Sequence, residues 1–101
     1  MRILLRASCP PEPFNTLVRK GTAGDIMGKI LAAIKPEAAY FTEIEGQRTA
    51  LLIVNLENAS QIPSVAEPFF LNFNAECRMH PVMSPEDLQK ARLGDLGKKW
   101  G

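Results

Sequence analysis

The stretch Ala38-Ala39-Tyr40-Phe41-Thr42-Glu43-Ile44-Glu45-Gly46-Gln47-Arg48-Thr49-Ala50-Leu51-Leu52-Ile53-Val54-Asn55-Leu56 reads as two strands joined by a tight turn. Gly46-Gln47 is the predicted two-residue loop, because glycine in first position suits a type II′ turn between antiparallel neighbours. With Glu45 opposite Arg48, one face carries Ala39, Phe41, Glu43, Glu45, Arg48, Ala50, Leu52 and Val54. The other carries Ala38, Tyr40, Thr42, Ile44, Thr49, Leu51, Ile53 and Asn55. Both faces are substantially apolar. A sheet covered by helices on one side normally turns a polar face to water on the other. A second apolar face needs cover that 101 residues can hardly supply, and a second copy of the chain would supply it.

Working outward, Arg2 to Ser8 alternates like a strand, and Cys9-Pro10-Pro11 stops it because proline cannot donate to a ladder. Asn15 is read as the cap of one helix whose apolar stripe includes Leu17, Ile26, Met27, Ile30 and Ile34, kinked at Gly21-Thr22; the alternative ends a short helix there and lets Thr22 cap a second, with Asp25 three residues on. Gly21, Gly24 and Gly28 lie on nearly one side of it, which predicts close approach of a neighbouring backbone. Pro36 ends that helix. Beyond the hairpin, Asn58 or Ser60 caps a second helix, with Pro63 in its first turn and Pro68 kinking or shortening it. Its buried side is read as Ile62, Val65, Ala66, Phe69 and Phe70. Asn74 to Met83 reads as the last strand. Ser84-Pro85-Glu86-Asp87 opens a C-terminal helix to about Arg92, followed by a tail that frays or docks on a partner through Trp100.

The order strand, helix, strand, strand, helix, strand predicts an α+β fold. It is a ferredoxin-like βαββαβ sandwich with a C-terminal helix, a single domain over residues 1–101. Twelve Lys and Arg against eleven Asp and Glu leave a net charge of +1, without the basic excess of a nucleic-acid binder. The strand Arg48 to Val54 also lacks the aromatics on which RNA-recognition domains stack bases. Metal-carrying relatives of this fold use a Cys-x-x-Cys loop after the first strand, and here Cys9 is followed by Pro10-Pro11-Glu12. Lys20-Gly21-Thr22-Ala23-Gly24 lacks the Lys-Ser/Thr that follows the second glycine of a phosphate loop. The N-terminal apolar stretch is too short for a signal peptide, and no run reaches the ~20 apolar residues that cross a bilayer. With Cys9 and Cys77 read as free thiols, the expectation is a cytoplasmic protein without metal or cofactor, binding neither nucleic acid nor membrane.

Among ferredoxin-like arrangements, the apolar outer face favours a dimeric alpha-beta barrel, in which two sheets pack face to face. Three segments carry a resemblance as well. Lys35-Pro36-Glu37-Ala38-Ala39-Tyr40-Phe41-Thr42-Glu43, Ile62-Pro63 with Ala66-Glu67-Pro68-Phe69-Phe70-Leu71-Asn72-Phe73-Asn74, and Met83-Ser84-Pro85-Glu86-Asp87-Leu88 resemble a family of short, uncharacterised bacterial proteins. The resemblance covers most of the chain and implies no established activity. Some members of that family are automatically labelled pantothenate synthetase. That enzyme is much longer and uses a His-x-Gly-His type motif, whereas this chain has one histidine.

That histidine, His80, is the first site candidate, as a general acid-base or ligand contact, against the plainer role of a surface or interface residue. Glu67 sits between Ala66 and Pro68 among apolar neighbours. Near a core it would be a base of raised pKa; on the outer side of its helix it is simply solvated. Tyr40, with Thr42 on the same sheet face, lines a cleft or packs at a subunit boundary. Asn74 completes the set of ligand-contact candidates. Arg6 and Arg78 project to one side from neighbouring strands, to receive an acid group or to pair with Glu43 or Glu76. The functional expectation is a homodimer that binds a small acidic or aromatic molecule, with or without cofactor-free catalysis. The alternative is a non-catalytic homo-oligomeric accessory or assembly domain.

Overall fold

The computed structural model describes residues 1–101. Strand β1 spans Arg2–Cys9, followed by helices α1 (Pro11–Arg19) and α2 (Ala23–Ile34). The hairpin strands β2 (Ala38–Ile44) and β3 (Gln47–Asn55) come next. A single 3-10 turn at Ala59–Gln61 leads into α3 (Ile62–Phe73), β4 (Glu76–Pro81), and two C-terminal helices, α4 (Pro85–Lys90) and α5 (Leu93–Trp100). The four strands form one antiparallel sheet in the order β2-β3-β1-β4, an α+β arrangement consistent with a ferredoxin-like fold.

The hairpin turns one residue earlier than its sequence suggests. Ile44 pairs with Gln47 and Glu43 with Arg48, so Glu45-Gly46 is the loop. Both loop residues have positive φ, 55° and 78°, as a type I′ turn requires. The twist of that turn matches the flanking strands, and the Glu43 carboxylate accepts a hydrogen bond from the Gly46 N–H at 2.9 Å. These two effects outweigh the preference for glycine in first position. Every cross-strand partner therefore moves by two residues. A move of two keeps each side chain on its face, where a move of one would have exchanged the faces.

One face is the core. Ile3, Leu5, Ala7 and Cys9 of β1 and Ala50, Leu52 and Val54 of β3 are at most 5% exposed. They meet Ile30 of α2 and Val65, Phe69 and Phe73 of α3. The α3 stripe thus runs 65-69-73, and Ile62 and Phe70, expected inside, are 41% and 40% exposed. Helix α3 continues through Pro68, and the Asn72 side chain donates to the Pro68 carbonyl at 2.8 Å. Phe14 of α1 stacks on Phe73 at 4.7 Å between ring centroids.

The favoured single helix is two, as the alternative reading has it, with Thr22 at the N-cap position of α2. The break falls at Lys20-Gly21-Thr22, where Gly21 adopts φ 74°, a left-handed conformation that other residues take at a cost. Asn15 caps nothing. It lies inside α1, and its Oδ1 accepts a 2.7 Å hydrogen bond from Arg48, whose guanidinium also sits over the Phe14 ring. Gly24 and Gly28 face open space, so no neighbouring backbone approaches them. Strand β4 is shorter than expected, because Asn74 is the left-handed cap of α3 (φ 54°).

At the C-terminus, Ser84 and Asp87 form the expected reciprocal capping box, but α4 ends at Lys90. Arg92 takes φ 54° and turns the chain into α5, a helix where the sequence predicts a tail. Every residue from Pro85 to Gly101 is exposed. The molecule measures 59 × 28 × 19 Å with a radius of gyration of 16.9 Å. A compact chain of this length would have about 13 Å. The excess is an arm projecting from the body.

Candidate functional site

The second face of the sheet carries no helix. Its side chains form cross-strand rows that follow from the register. The middle row is Tyr40, Leu51, Arg6 and Arg78, in the order β2, β3, β1, β4. On one side lies the row Ala38, Ile53, Leu4 and His80; on the other lie Thr42, Thr49, Ser8 and Glu76. The face is therefore apolar toward β2 and β3, and cationic where β1 meets β4. Leu4, Leu51 and Ile53 are partly buried by their neighbours, and Tyr40 is 68% exposed. The chain's own C-terminal arm does not cover them.

Arg6 and Arg78 stand directly opposite each other. Like charges in that relation are destabilising unless something neutralises them. Glu76 does so for Arg78, at 2.7 Å to Nη2 and 2.8 Å to Nε. Arg6, partly buried, has no ion pair and no hydrogen bond from its guanidinium. Glu43 is unavailable to it, being on the core side of the sheet opposite Arg48. The two guanidiniums border a cleft of about 210 Å³. Its far wall is Ser8, whose hydroxyl donates to Gln47 Oε1 at 3.1 Å, with Ile44 and Glu45 beyond. Sequence reasoning found Arg6 and Arg78 but missed Ser8 and Gln47. Ser8 shares the strand alternation of Arg6, which is a legible signal. The sequence predicts Gln47 in the loop, and the observed register makes it the first residue of β3, within reach of Ser8.

The four candidate contacts do not form one site within the chain. Tyr40 and His80 share the open face but sit on its two edge strands. Three strand spacings, about 14 Å, separate them. Glu67 and Asn74 belong to α3 and its cap, on the opposite side of the sheet. Glu67 is exposed, so it is the solvated helix residue and not a carboxylate forced into the core. Asn74 is exposed and shapes the chain after α3; His80 is exposed as well. Between sheet and helices the interior is filled, with Leu5, Leu52, Phe69 and Phe73 fully buried.

Cys9 and Cys77 are free thiols on the core side. Burial pushes the Cys9 thiol above its ordinary pKa, with the Arg48 charge acting in opposition. Burial, then Cys9, then Glu67 push Cys77 up to about 11. Both are held as unreactive thiols at neutral pH. Nowhere do three or more His, Cys, Asp or Glu side chains gather as a metal site. No helix is long and apolar enough to cross a membrane. Compared with protein-family models, with curated proteins and with solved structures, the chain matches none.

Proposed function

We propose that this chain is a homodimeric binding domain for a small aromatic carboxylate, held on the open face of the sheet. The observation that carries the reading is Arg6: a partly buried guanidinium without an anion, facing a second guanidinium across the strand pair. A planar carboxylate satisfies both donors in a way that water does less well. Leu51 and Tyr40 lie in the same row, one and two strands away, so a ring attached to the carboxylate finds an apolar and then an aromatic surface. Tyr40 is about 10 Å from Arg6 in this geometry, the length of an arylacetate with room to spare.

The strand order and the two apolar faces support a ferredoxin-like βαββαβ subunit paired face to face as a dimeric alpha-beta barrel. In that pairing the ligand lies at the seam, shielded from water, where its ion pair with Arg6 strengthens. The resemblance to short bacterial proteins fits a compact binding domain and adds no reaction. His80 and Glu76 flank Arg78 on the same strand face, two residues to either side, and are the titratable side chains beside the proposed carboxylate position.

A second reading, a non-catalytic assembly domain, is favoured by the exposure of His80 and Glu67 and by the filled interior. Calorimetric titration with phenylacetate separates the two. Binding that weakens ten- to a hundredfold in Arg6→Ala, matching the ~1.5–3 kcal/mol of a charged hydrogen bond, supports the binding domain. Absence of heat with phenylacetate and benzoate, from a protein that still dimerises, supports assembly alone.

A further inference from the structure

The filled interior opens at one corner, where the start of α2 meets the hairpin. Small side chains are responsible. Ala23 and Gly24 of α2 and Ala50 of β3 line a groove of about 380 Å³ there, and Phe14, Met27 and Phe41 complete its apolar wall. A Cβ placed on Gly24 meets nothing within 4 Å. Phe41 is on the core face of the sheet, yet it is 54% exposed at the mouth of this groove. Cys9, also in the lining, is held as a neutral thiol by its burial.

One charge borders the groove, the Arg48 guanidinium, and it is fixed in place without an anion. Its Nη1 donates to Asn15 Oδ1 at 2.7 Å, and its central carbon lies 4.7 Å from the Phe14 ring centroid. It makes no ion pair. The carboxylates that could have neutralised it are engaged elsewhere. Glu43, its cross-strand partner, accepts the Gly46 N–H at 2.9 Å. Glu12 accepts the backbone N–H and the hydroxyl of Thr16 and pairs with Arg19 at 3.6 Å. Of the five guanidinium donors, those on Nε and Nη2 are left free.

We propose that this groove binds an aliphatic monocarboxylate of medium chain length, with its carboxylate on the free edge of Arg48 and its tail against Phe41, Ala50 and Met27. Charge complementarity sets the head. A planar guanidinium fork matches a carboxylate, and no acidic side chain lines the groove to compete. The lining sets the rest of the molecule. An apolar wall with one convergent cation suits a single charge on an apolar body, because a second charge would be desolvated without a partner. A chain fits better than a ring: Phe14 already has Phe73 stacked on it at 4.7 Å and the Arg48 guanidinium over it, so it offers no face to an aromatic ligand. The flexible thioether of Met27 adapts to a flexible tail. The row of Phe41 and Ala50 lies two strand residues, about 7 Å, from the row of Arg48, so a chain of about six to eight carbons spans the site. Arg6 is on the other face of the sheet, so the groove stands or falls separately from the site proposed there.

Titration of the full chain with straight-chain carboxylates from butanoate to decanoate, followed by amide NMR shifts, is the test. The expected result is a set of shifts at Ala23, Gly24, Met27, Phe41 and Ala50. Affinity rises about fourfold per added CH₂ and levels off once the groove is filled, near octanoate. Octan-1-ol, which has the tail without the charge, binds the unaltered protein about ten- to a hundredfold more weakly than octanoate, and Arg48→Gln weakens octanoate by a similar factor. Phe41→Ala, at a half-exposed position, flattens the dependence on chain length. Arg6→Ala leaves octanoate binding unchanged, so failure here is distinct from failure of phenylacetate binding. Four results overturn the proposal: affinity independent of chain length, octan-1-ol binding as tightly as octanoate, loss of octanoate binding in Arg6→Ala, and unmoved groove amides at about 10 mM octanoate, which excludes even a millimolar affinity.

Discussion

Leu51 and Leu52 are chain neighbours of identical chemistry on the same central strand, and they do different work. Leu52 faces α3 and has no exposed surface; Leu51 faces the side without helices and keeps part of its side chain in water. The same contrast holds along β1, where Leu5 is fully buried and Leu4 is not. The helix side stabilises the subunit, and its packing is complete within one chain. The open side is apolar beyond what one chain needs, and it carries a guanidinium that one chain leaves unpaired.

That contrast can be broken by experiment. The largest effect belongs to the core: Phe69→Ala removes a fully buried ring and costs about 3–5 kcal/mol in urea unfolding, enough to unfold a domain of marginal stability. Leu52→Ala costs about 2–5 kcal/mol, whereas Leu51→Ala costs about 1 kcal/mol or less in the monomer. If the two leucines cost the same at every protein concentration, the distinction between the faces is wrong. Leu51→Asp sharpens the point, because a charge on the open face leaves the monomer folded by circular dichroism and shifts light scattering from dimer to monomer. A dimer unaffected by it places the interface elsewhere.

Smaller effects probe chemistry at the margins of the two faces. With a pKa of about 11, Cys77 carries on the order of a hundredfold less thiolate than at its ordinary value of 9.0. Labelling with a thiol reagent at pH 8 is therefore slow in the folded protein and fast in urea; rapid labelling of the native state would mean that the core side opens. The Asp87 carboxylate is held below the ordinary 3.8, chiefly because it accepts the Ser84 backbone N–H. A carboxylate with a depressed folded pKa stabilises its helix fully above the unfolded value and loses that contribution as pH falls through the folded one. Far-UV circular dichroism should decline as pH falls below about 4, and Asp87→Asn should reduce that loss. The smallest change is Glu45→Asn, which suits φ 55° better than glutamate does and stabilises the hairpin by about 0.5 kcal/mol in thermal unfolding.

Much of the fold is legible in the residues. Alternation in β1 and β3, the helix start at Ser84 to Asp87, and the helix stop at Pro36 all depend on neighbours a few positions apart. The errors fell where two local preferences compete. Glycine suits either position of a tight hairpin, and the twist of the strands chose between them. Gly21 is tolerated inside a helix or at its end, and the docking of α1 and α2 as separate elements chose the end. The candidate site was legible only in part, because sharing a face does not mean sharing a place. Tyr40 and His80 are correctly assigned to the open side and lie on opposite edges of it.

By itself, the sequence determined which side chains point together. Strand periodicity is a two-residue property, and it survived an error of one position in the turn because the partners then slip by two. What only the tertiary structure decided is the register in which distant strands meet. Antiparallel pairing of β1 with both β3 and β4 joins residues 39 to 78 positions apart, and it sets Arg6 against Arg78 and leaves the β2 edge bare. Those contacts come from closing a sheet around one core, a long-range condition that no local pattern of residues encodes.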